Sequence, residues 1–299
     1  MTSDVAERSE SRTVLVRMRA ALPSLRPSER RIAEACLASP LDAANRSVAE
    51  LAEHCRTSTT SVVRFYHRIG YSRYRDLRAD LIQESTRENL ETANLPSASG
   101  DIDRGDTIDD IVSKVVFSET LSISDTGNAL DRDALAQAVE YVLAARRVDG
   151  FGVGAGSFVG LDLQQKLTRI GRTALNWPDS DAAWSAAATL DPSCVAVAIS
   201  HSGTTAATVE FLELARSGGA RTIAITNHGD SPLAEAADVV LTTAARETRF
   251  RSGAFGSRIA QLMVVDCLFI GVAQASYDRS LSALRKTYAA IHRPIAKPR

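Results

Sequence analysis

The sequence predicts an α/β protein in which an all-helical N-terminal domain precedes a doubly wound domain built on a parallel sheet. Residues 14–90 carry apolar side chains at helical spacing throughout. From about residue 107, short apolar β-branched segments alternate with helical ones, as in a parallel sheet covered on both faces. The polar stretch 86–106 has no periodic core, so we predict domains at 1–85 and 107–299 joined by this linker.

The composition restricts the class of protein. The chain has 299 residues, a net charge of −1 and 44% hydrophobic residues, which is ordinary for a globular protein of one or two domains. No apolar run reaches the ~18 residues of a membrane span, and the polar N-terminus lacks a signal-peptide core. The four cysteines are scattered, as in a protein with reduced thiols. We therefore expect a cytoplasmic protein with no membrane partner, no metal and no cofactor.

Two short helices joined by a tight turn are predicted at 48–69. Ser47 and Glu50 form a capping-box pattern before the first helix, and Ser58 caps the second. An apolar stripe on the second helix would pack inward. The length and rhythm are those of a helix-turn-helix, whose second helix enters the major groove of DNA. An ordinary helical hairpin is the alternative.

Basic and hydroxyl side chains surround this helix pair. Segment 46–78 holds seven arginines and three acidic residues, an asymmetry hidden by the near-neutral net charge. Such a basic segment indicates a module that binds a polyanion, although a solvated charged face has the same composition. Hydroxyls and arginines suit phosphates and guanine edges. The candidate DNA-binding residues are Ser58, Thr59, Thr60, Ser61, Arg64 and Arg68.

The C-terminal part predicts alternating strands and helices. Ligands of such sheets bind at the carboxyl ends of the strands, where the strand order reverses. The predicted strands are 148–153, 173–176, 194–200, 221–226 and 239–242. The predicted helices are 157–170, 182–188, 205–217, 232–236 and 255–275.

The most informative segment is the turn Ile-Ser-His-Ser-Gly-Thr-Thr at 199–205. An apolar strand stops there at hydroxyls and a glycine, and a helical pattern resumes at Ala206. Backbone N–H groups and the dipole at such a helix start favour an anion, and the hydroxyls add donors. A helix cap needs one hydroxyl, whereas four crowd this turn. The segment therefore predicts a phosphate site, with simple capping as the alternative.

Two further segments follow predicted strands. Gly154 and Ser157 lie in a glycine-rich loop that lacks dinucleotide-binding spacing, so we interpret it as a backbone-lined edge of the same pocket, with close strand–helix packing as the alternative. Segment 246–253 offers Glu247 as a base or a sugar-hydroxyl acceptor, and its arginines suit phosphate. A solvent-exposed run of charged residues is an equally weighted alternative for segment 246–253. His201 and His228 lie near strand ends, where a histidine could titrate usefully.

Taken together, these motifs resemble the RpiR family of bacterial transcription regulators. The resemblance covers roughly residues 20 to 275. In the N-terminal part it rests on segments 25–33, 47–53, 61–65 and 70–72. In the C-terminal part it rests on segments 152–154, 162–171, 199–205, 224–226, 231–234 and 250–253.

The resemblance implies a helix-turn-helix domain joined to a flavodoxin-like sugar isomerase (SIS) domain that binds phosphosugars. It implies a regulator rather than an enzyme, with no catalytic residue. Expected partners are a double-stranded DNA operator, a sugar phosphate effector and further copies of the chain in a homodimer or homotetramer. Ser200, Ser202 and Thr205 match the family's phosphate turn. The candidate effector-binding residues are Gly154, Ser157, Ser200, His201, Ser202, Gly203, Thr204, Thr205 and Glu247.

The sequence departs from the family pattern at three places. Arg56 replaces the glycine of the helix-turn-helix turn, and Gly156 replaces a serine of the glycine-rich loop, with Ser157 one place later. Segment 176–181 lacks a histidine common after the second strand. Two alternatives remain open: a phosphosugar isomerase with Glu247 as the base, and a phosphosugar sensor that regulates a partner enzyme.

Overall fold

The computed structural model describes residues 13–91, 102–245 and 256–292, which form two compact units. The first unit comprises the described residues up to Ala129 together with Ala244 and Ala245. The second comprises residues 130–243 and 256–292. Each unit has its own hydrophobic core.

The first unit is entirely helical. Its helices are α1 (Val14–Ala21), α2 (Pro27–Ala38), α3 (Pro40–Asn45), α4 (Val48–His54), α5 (Thr59–Arg68), α6 (Tyr74–Glu91) and α7 (Ile108–Ala129), with a 3-10 turn at Leu22–Ser24. Proline occupies the first turn of both α2 and α3, where its missing N–H costs nothing. Apolar side chains from α1 to α6 meet in one buried cluster, which fixes the angle between α4 and α5.

The second unit is a parallel five-stranded sheet with helices on both faces. Its elements are α8 (Arg132–Ala144), β1 (Arg147–Gly152), α9 (Ala155–Arg169), β2 (Ala174–Asn176), α10 (Ser180–Ala187), β3 (Cys194–Ile199), α11 (Ala206–Ser217), β4 (Arg221–Thr226), α12 (Pro232–Glu235), β5 (Val239–Thr242), α13 (Gly256–Ala275) and α14 (Tyr277–Ile291). The strand order is β2-β1-β3-β4-β5, and all pairs are parallel. This is the predicted doubly wound, flavodoxin-like arrangement, whose order reverses between β1 and β3.

Side chains of β3 show how the two faces are covered. Val195, Val197 and Ile199 belong to the cluster formed with α8, α9 and α13. Ala196 and Ala198 belong to the cluster formed with α10 and α11. Because successive side chains of a strand point to opposite faces, a run without polar residues is required in this central strand. All five predicted strands are confirmed, with ends within one residue.

The boundary between the units differs from the predicted one. Helix α6 continues to Glu91, so the predicted linker 86–106 begins inside a helix, and residues 92–101 lie outside the described chain. Helix α7 belongs to the first unit, although the prediction assigned it to the second domain. The reason is a buried carboxylate: Asp125 lies 3.0 Å from Arg19 and 2.7 Å from Arg87. A fully buried charge needs such partners, so α7 packs with α1 and α6.

Helix α13 corrects the expectation that no apolar segment reaches membrane length. Its segment Ser257–Ala275 is long and apolar enough to cross a bilayer by length and composition. However, Val264, Val265, Leu268 and Val272 are buried in the core beside the sheet. The composition of α13 is therefore accounted for by its place in the core, and one such helix is weak evidence for a span.

Candidate functional site

The first candidate site is the helix pair α4 and α5. Ser47 Oγ accepts from the Glu50 N–H at 3.3 Å, and the Glu50 carboxylate accepts from the Ser47 N–H at 2.7 Å, which confirms the predicted capping box. Ser58 Oγ accepts from the Ser61 N–H at 3.2 Å and so caps α5. The apolar stripe of α5 is buried in the core of the first unit, as predicted. The opposite face of α5 is thereby turned outward.

The predicted DNA-binding residues divide into exposed and buried ones. Ser58, Thr59, Thr60 and Arg64 are exposed, and within the described residues the Arg64 guanidinium has no hydrogen bond or ion pair. Ser61 is only 4% exposed, and its hydroxyl lies 3.1 Å from that of Ser58. The position of Ser61 on α5 therefore turns its side chain toward the core and not toward the outward face.

Arg68 has a partner inside the protein. Its guanidinium lies 3.6 Å from the carboxylate of Glu29, whose side chain is 3% exposed. Glu29 also accepts a hydrogen bond from the N–H of Arg26 at the start of α2. Arg68 thus neutralises a buried charge and ties α5 to α2, whereas Arg64 has no such role.

The second candidate site is the turn between β3 and α11. Ser200 Oγ accepts from the Gly203 N–H at 3.2 Å and lies 3.1 Å from Thr205 Oγ1. Ser202 Oγ accepts from both the N–H and the hydroxyl of Thr204, at 3.3 and 2.9 Å. Thr205 is the N-cap residue of α11, yet its side chain makes no capping bond. The hydroxyls therefore shape the turn rather than cap the helix.

This turn leaves backbone donors open. Within the described part of the chain, the N–H groups of Ser202, Thr205 and Ala206 have no hydrogen-bond acceptor. Ser202 and Thr204 are exposed, while Ser200 is 7% exposed. Open N–H groups at the N-terminus of a helix attract anions, because they carry partial positive charge. The turn thus has the donors that a phosphate requires.

Gly203 allows the turn to lie against the loop that follows β4. Its φ is +65°, and a Cβ atom would overlap the hydroxyl of Ser231. Thr226 Oγ1 donates to the carbonyl of His201 at 3.2 Å, which joins the ends of β3 and β4. Any side chain at Gly203 would push these segments apart. Gly203 therefore shapes the site, and its own N–H is already taken up by Ser200.

The glycine-rich loop after β1 lies beside the same turn. A Cβ on Gly156 would come within 2.7 Å of the Ile199 carbonyl oxygen, so this position cannot hold the serine of the family pattern. Gly154 is exposed with a φ of +58°, and Ser157 Oγ donates to its carbonyl at 2.7 Å. The loop thus packs closely on the end of β3, which was the alternative interpretation, and Gly154 and Ser157 still line its outer edge. Glu247 lies outside the described residues.

A histidine pair at the turn was not assigned from the sequence. The ring centroids of His201 and His228 are 5.8 Å apart, edge to face. Burial, and secondly the neighbouring His228, lower the pKa of His201 to about 4. His201 is therefore neutral at pH 7. In the sequence, each histidine follows the end of a predicted strand. Their contact arises because β3 and β4 are neighbours in the sheet, which the sequence pattern alone does not show.

Comparison with known proteins agrees with the two-unit architecture. Residues 12–88 match the model of the helix-turn-helix domain of the rpiR family, and residues 142–271 match the SIS domain. An HTH-type transcriptional regulator of Caldanaerobacter subterraneus is 34% identical over 274 residues, which cover 92% of this chain and 95% of the relative. The chain belongs to the RpiR family of HTH-type transcriptional regulators.

Solved structures extend the similarity to three dimensions. The Vibrio vulnificus NanR protein complexed with ManNAc-6P has a TM-score of 0.59 and 28% identity, with 95% of this chain and 100% of that chain covered. The sugar isomerase domain of an RpiR transcription factor from Sphaerobacter thermophilus has a TM-score of 0.54 and 26% identity, covering 58% of this chain and 96% of that one. The RpiR regulator described here therefore combines a DNA-binding unit with an SIS unit.

Substitution of the two α5 arginines should separate DNA contact from stability. Arg64→Ala should weaken operator binding and leave the free energy of unfolding within ~0.5 kcal/mol of wild type. If Arg64 reads a base, the loss is ~1–3 kcal/mol and one operator position relaxes; if it contacts phosphate, binding weakens uniformly and the salt slope falls by about one. Arg68→Ala should in addition destabilise the fold by about 1 kcal/mol, since Glu29 loses its partner.

The measurements are anisotropy with a duplex that wild-type protein enriches from a randomised library, and urea denaturation. Glu29→Gln is the control, because it should remove the stability effect of Arg68→Ala. Operator binding like wild type by both arginine variants would contradict the assignment of α5 as the recognition helix.

The neutral state of His201 predicts loss of stability in acid. In the unfolded chain His201 takes up a proton near its ordinary pKa of 6.5, but in the folded protein only near 4. The unfolded state therefore binds more protons between these values, so the free energy of unfolding should fall as pH drops from 6.5 to 4. Denaturation at several pH values checks this. His201→Asn should flatten the dependence, whereas the exposed control His54→Asn should not; equal slopes in all three proteins would refute it.

Proposed function

We propose that the β3–α11 turn binds the phosphate group of a sugar phosphate, and that this effector controls operator affinity. The observation that carries the proposal is the set of open N–H donors on Ser202, Thr205 and Ala206 at the start of α11. They follow the carboxyl end of β3, and the strand order reverses between β3 and its neighbour β1, which is where ligands of such sheets bind. The similarity to NanR, whose structure contains ManNAc-6P, supports a phosphosugar ligand.

Each part of the turn has a role in this proposal. The N–H groups and the hydroxyls of Ser202 and Thr205 donate to the phosphate oxygens, while the Thr204 hydroxyl donates to Ser202 Oγ. Ser200 holds the backbone in place through Gly203. Gly154 and Ser157 line the side from which the sugar would extend, and Glu247 is the proposed acceptor for a sugar hydroxyl.

A sensing role follows from the two-unit architecture. An effector changes operator affinity only if it prefers one arrangement of the paired DNA-binding units. We therefore propose a cytoplasmic homodimer or homotetramer that binds DNA and effector and does not turn the effector over. A turnover assay on aldose and ketose phosphates would distinguish this regulator from a phosphosugar isomerase.

Loss of one turn hydroxyl should weaken effector binding without changing the fold or effector-free operator binding. Ser202→Ala and Thr205→Ala should each weaken effector binding roughly 10- to 150-fold, because a hydrogen bond to a charged group is worth ~1.5–3 kcal/mol. The fold and effector-free operator binding should remain like wild type, since no core volume is lost. The measurement is a thermal-shift screen of sugar phosphates, where ligand at 100 Kd stabilises by ~2.7 kcal/mol, followed by operator binding titrated with the active compound.

Ser217→Ala is the matched control, because this exposed serine at the end of α11 donates only to the Leu214 carbonyl. An unshifted effector response in both turn variants would place the pocket elsewhere. Loss of effector-free DNA binding would instead show that the turn hydroxyls are structural.

Paired helix-turn-helix units predict a symmetric operator. Footprinting should show an inverted repeat whose half-sites lie about 34–36 Å apart, or a multiple of this, because each unit reads one face of the duplex. Sedimentation should show an oligomer at working concentration. A single asymmetric half-site protected by a monomer would contradict the proposal.

A further inference from the structure

Arg56 occupies a backbone position that favours glycine. Its φ is +49°, the one positive value at a non-glycine residue in the described part of the chain. It follows α4, where the Arg56 N–H donates to Glu53 O at 3.0 Å and the Thr57 N–H donates to Ala52 O at 2.9 Å. These two bonds form a Schellman motif with Arg56 at the left-handed position. A β-carbon there is strained, and glycine would relieve the strain.

Arg31 compensates for part of this strain. From α2 its Nε donates to Cys55 O at 3.1 Å, and its Nη2 donates to Arg56 O at 3.1 Å. Both carbonyls lie beyond the end of α4, where no helical donor reaches them. The planar fork of a guanidinium fits two neighbouring carbonyls, which a lysine cannot do. Arg31 therefore fixes the left-handed turn that leads into α5.

The side chain of Arg56 has no partner among the described residues. It is exposed, and within the described residues it forms no hydrogen bond or ion pair. It lies two residues before Ser58, the cap of the recognition helix. Strained backbone positions cluster at functional sites, so this one motivates a functional hypothesis. The first helix of a helix-turn-helix and the turn after it pass over the DNA backbone.

We propose that Arg56 contacts a DNA phosphate and that Arg31 is the positioning residue that holds Arg56 in its left-handed conformation. The proposal rests on the DNA-binding function of the family. It explains why a strained arginine stands in this turn, and why a second arginine is committed to two backbone carbonyls.

The proposal predicts that Arg56→Gly changes protein stability and DNA affinity in opposite directions. Arg56→Gly removes strain, so it should raise the Tm by ~2–4 °C. It also removes a phosphate contact, so DNA binding should weaken about tenfold for every duplex sequence, and the salt slope should fall by about one. Arg56→Lys should keep most of the binding, because it keeps the charge. A purely structural residue would move stability and binding in the same direction.

Arg31 is tested through its coupling to Arg56. Arg31→Ala should lower both the Tm and DNA affinity when Arg56 is present. In the Arg56→Gly background, Arg31→Ala should have little further effect on affinity, since no side chain remains to be positioned. Equal effects of Arg31→Ala in both backgrounds would overturn the positioning role. Arg56→Gly alone tests the contact, even if Arg31→Ala fails to fold.

The experiment uses the full-length chain. Binding is measured from 50 to 200 mM salt with two probes, a duplex enriched by wild-type protein and an unrelated duplex of equal length. Arg285→Gln is the control, because it removes an exposed charge from α14 in the other unit. Wild-type affinity and salt slope in Arg56→Gly would overturn this proposal alone. Failure of wild-type protein to bind either duplex would overturn the DNA-binding function itself.

Discussion

The close approach of the β1–α9 loop to the end of β3 is the constraint on which the SIS unit depends. Gly152 pairs with Ile199 at the ends of these strands, and the missing side chain of Gly156 lets α9 begin against the Ile199 carbonyl. A larger residue would move α9 away and open the edge of the sheet. Because both strands end together at the reversal of strand order, their loops leave the sheet side by side, where ligands of such folds bind.

In the β3–α11 turn, serine hydroxyls and backbone N–H groups form hydrogen bonds with one another. Ser200 and Ser202 accept from the backbone of the turn, and the N–H groups at the start of α11 have no acceptor in the part of the chain that the structure describes. A neutral His201 beside them adds no fixed charge at pH 7. Among the described residues, the donors that this turn offers to the proposed anion are oriented backbone dipoles at a helix N-terminus.

The helix-turn-helix unit differs in that its arginines fall into two groups. Some form contacts that stabilise the fold, and others extend outward without a described partner. Arg68 neutralises the buried Glu29, and Arg31 holds the carbonyls of the turn. Arg64 and Arg56 are exposed and engage no described partner. A basic composition alone would treat these four residues as equivalent. Their contacts show that only part of the positive charge is available to a polyanion.

The sequence by itself determined the features that depend on local chemistry. Periodicity located all five predicted strands, and the capping box at Ser47 and the cap at Ser58 located α4 and α5. The strand end at Ile199 located the hydroxyl-rich turn that precedes α11. Only the tertiary structure decided which of these residues are available. Ser61 is buried and Arg68 is paired with Glu29 because of residues distant in sequence. Helix α7 joins the first unit for the same reason, since its Asp125 pairs with Arg19. Such pairings follow from packing, which no local pattern encodes.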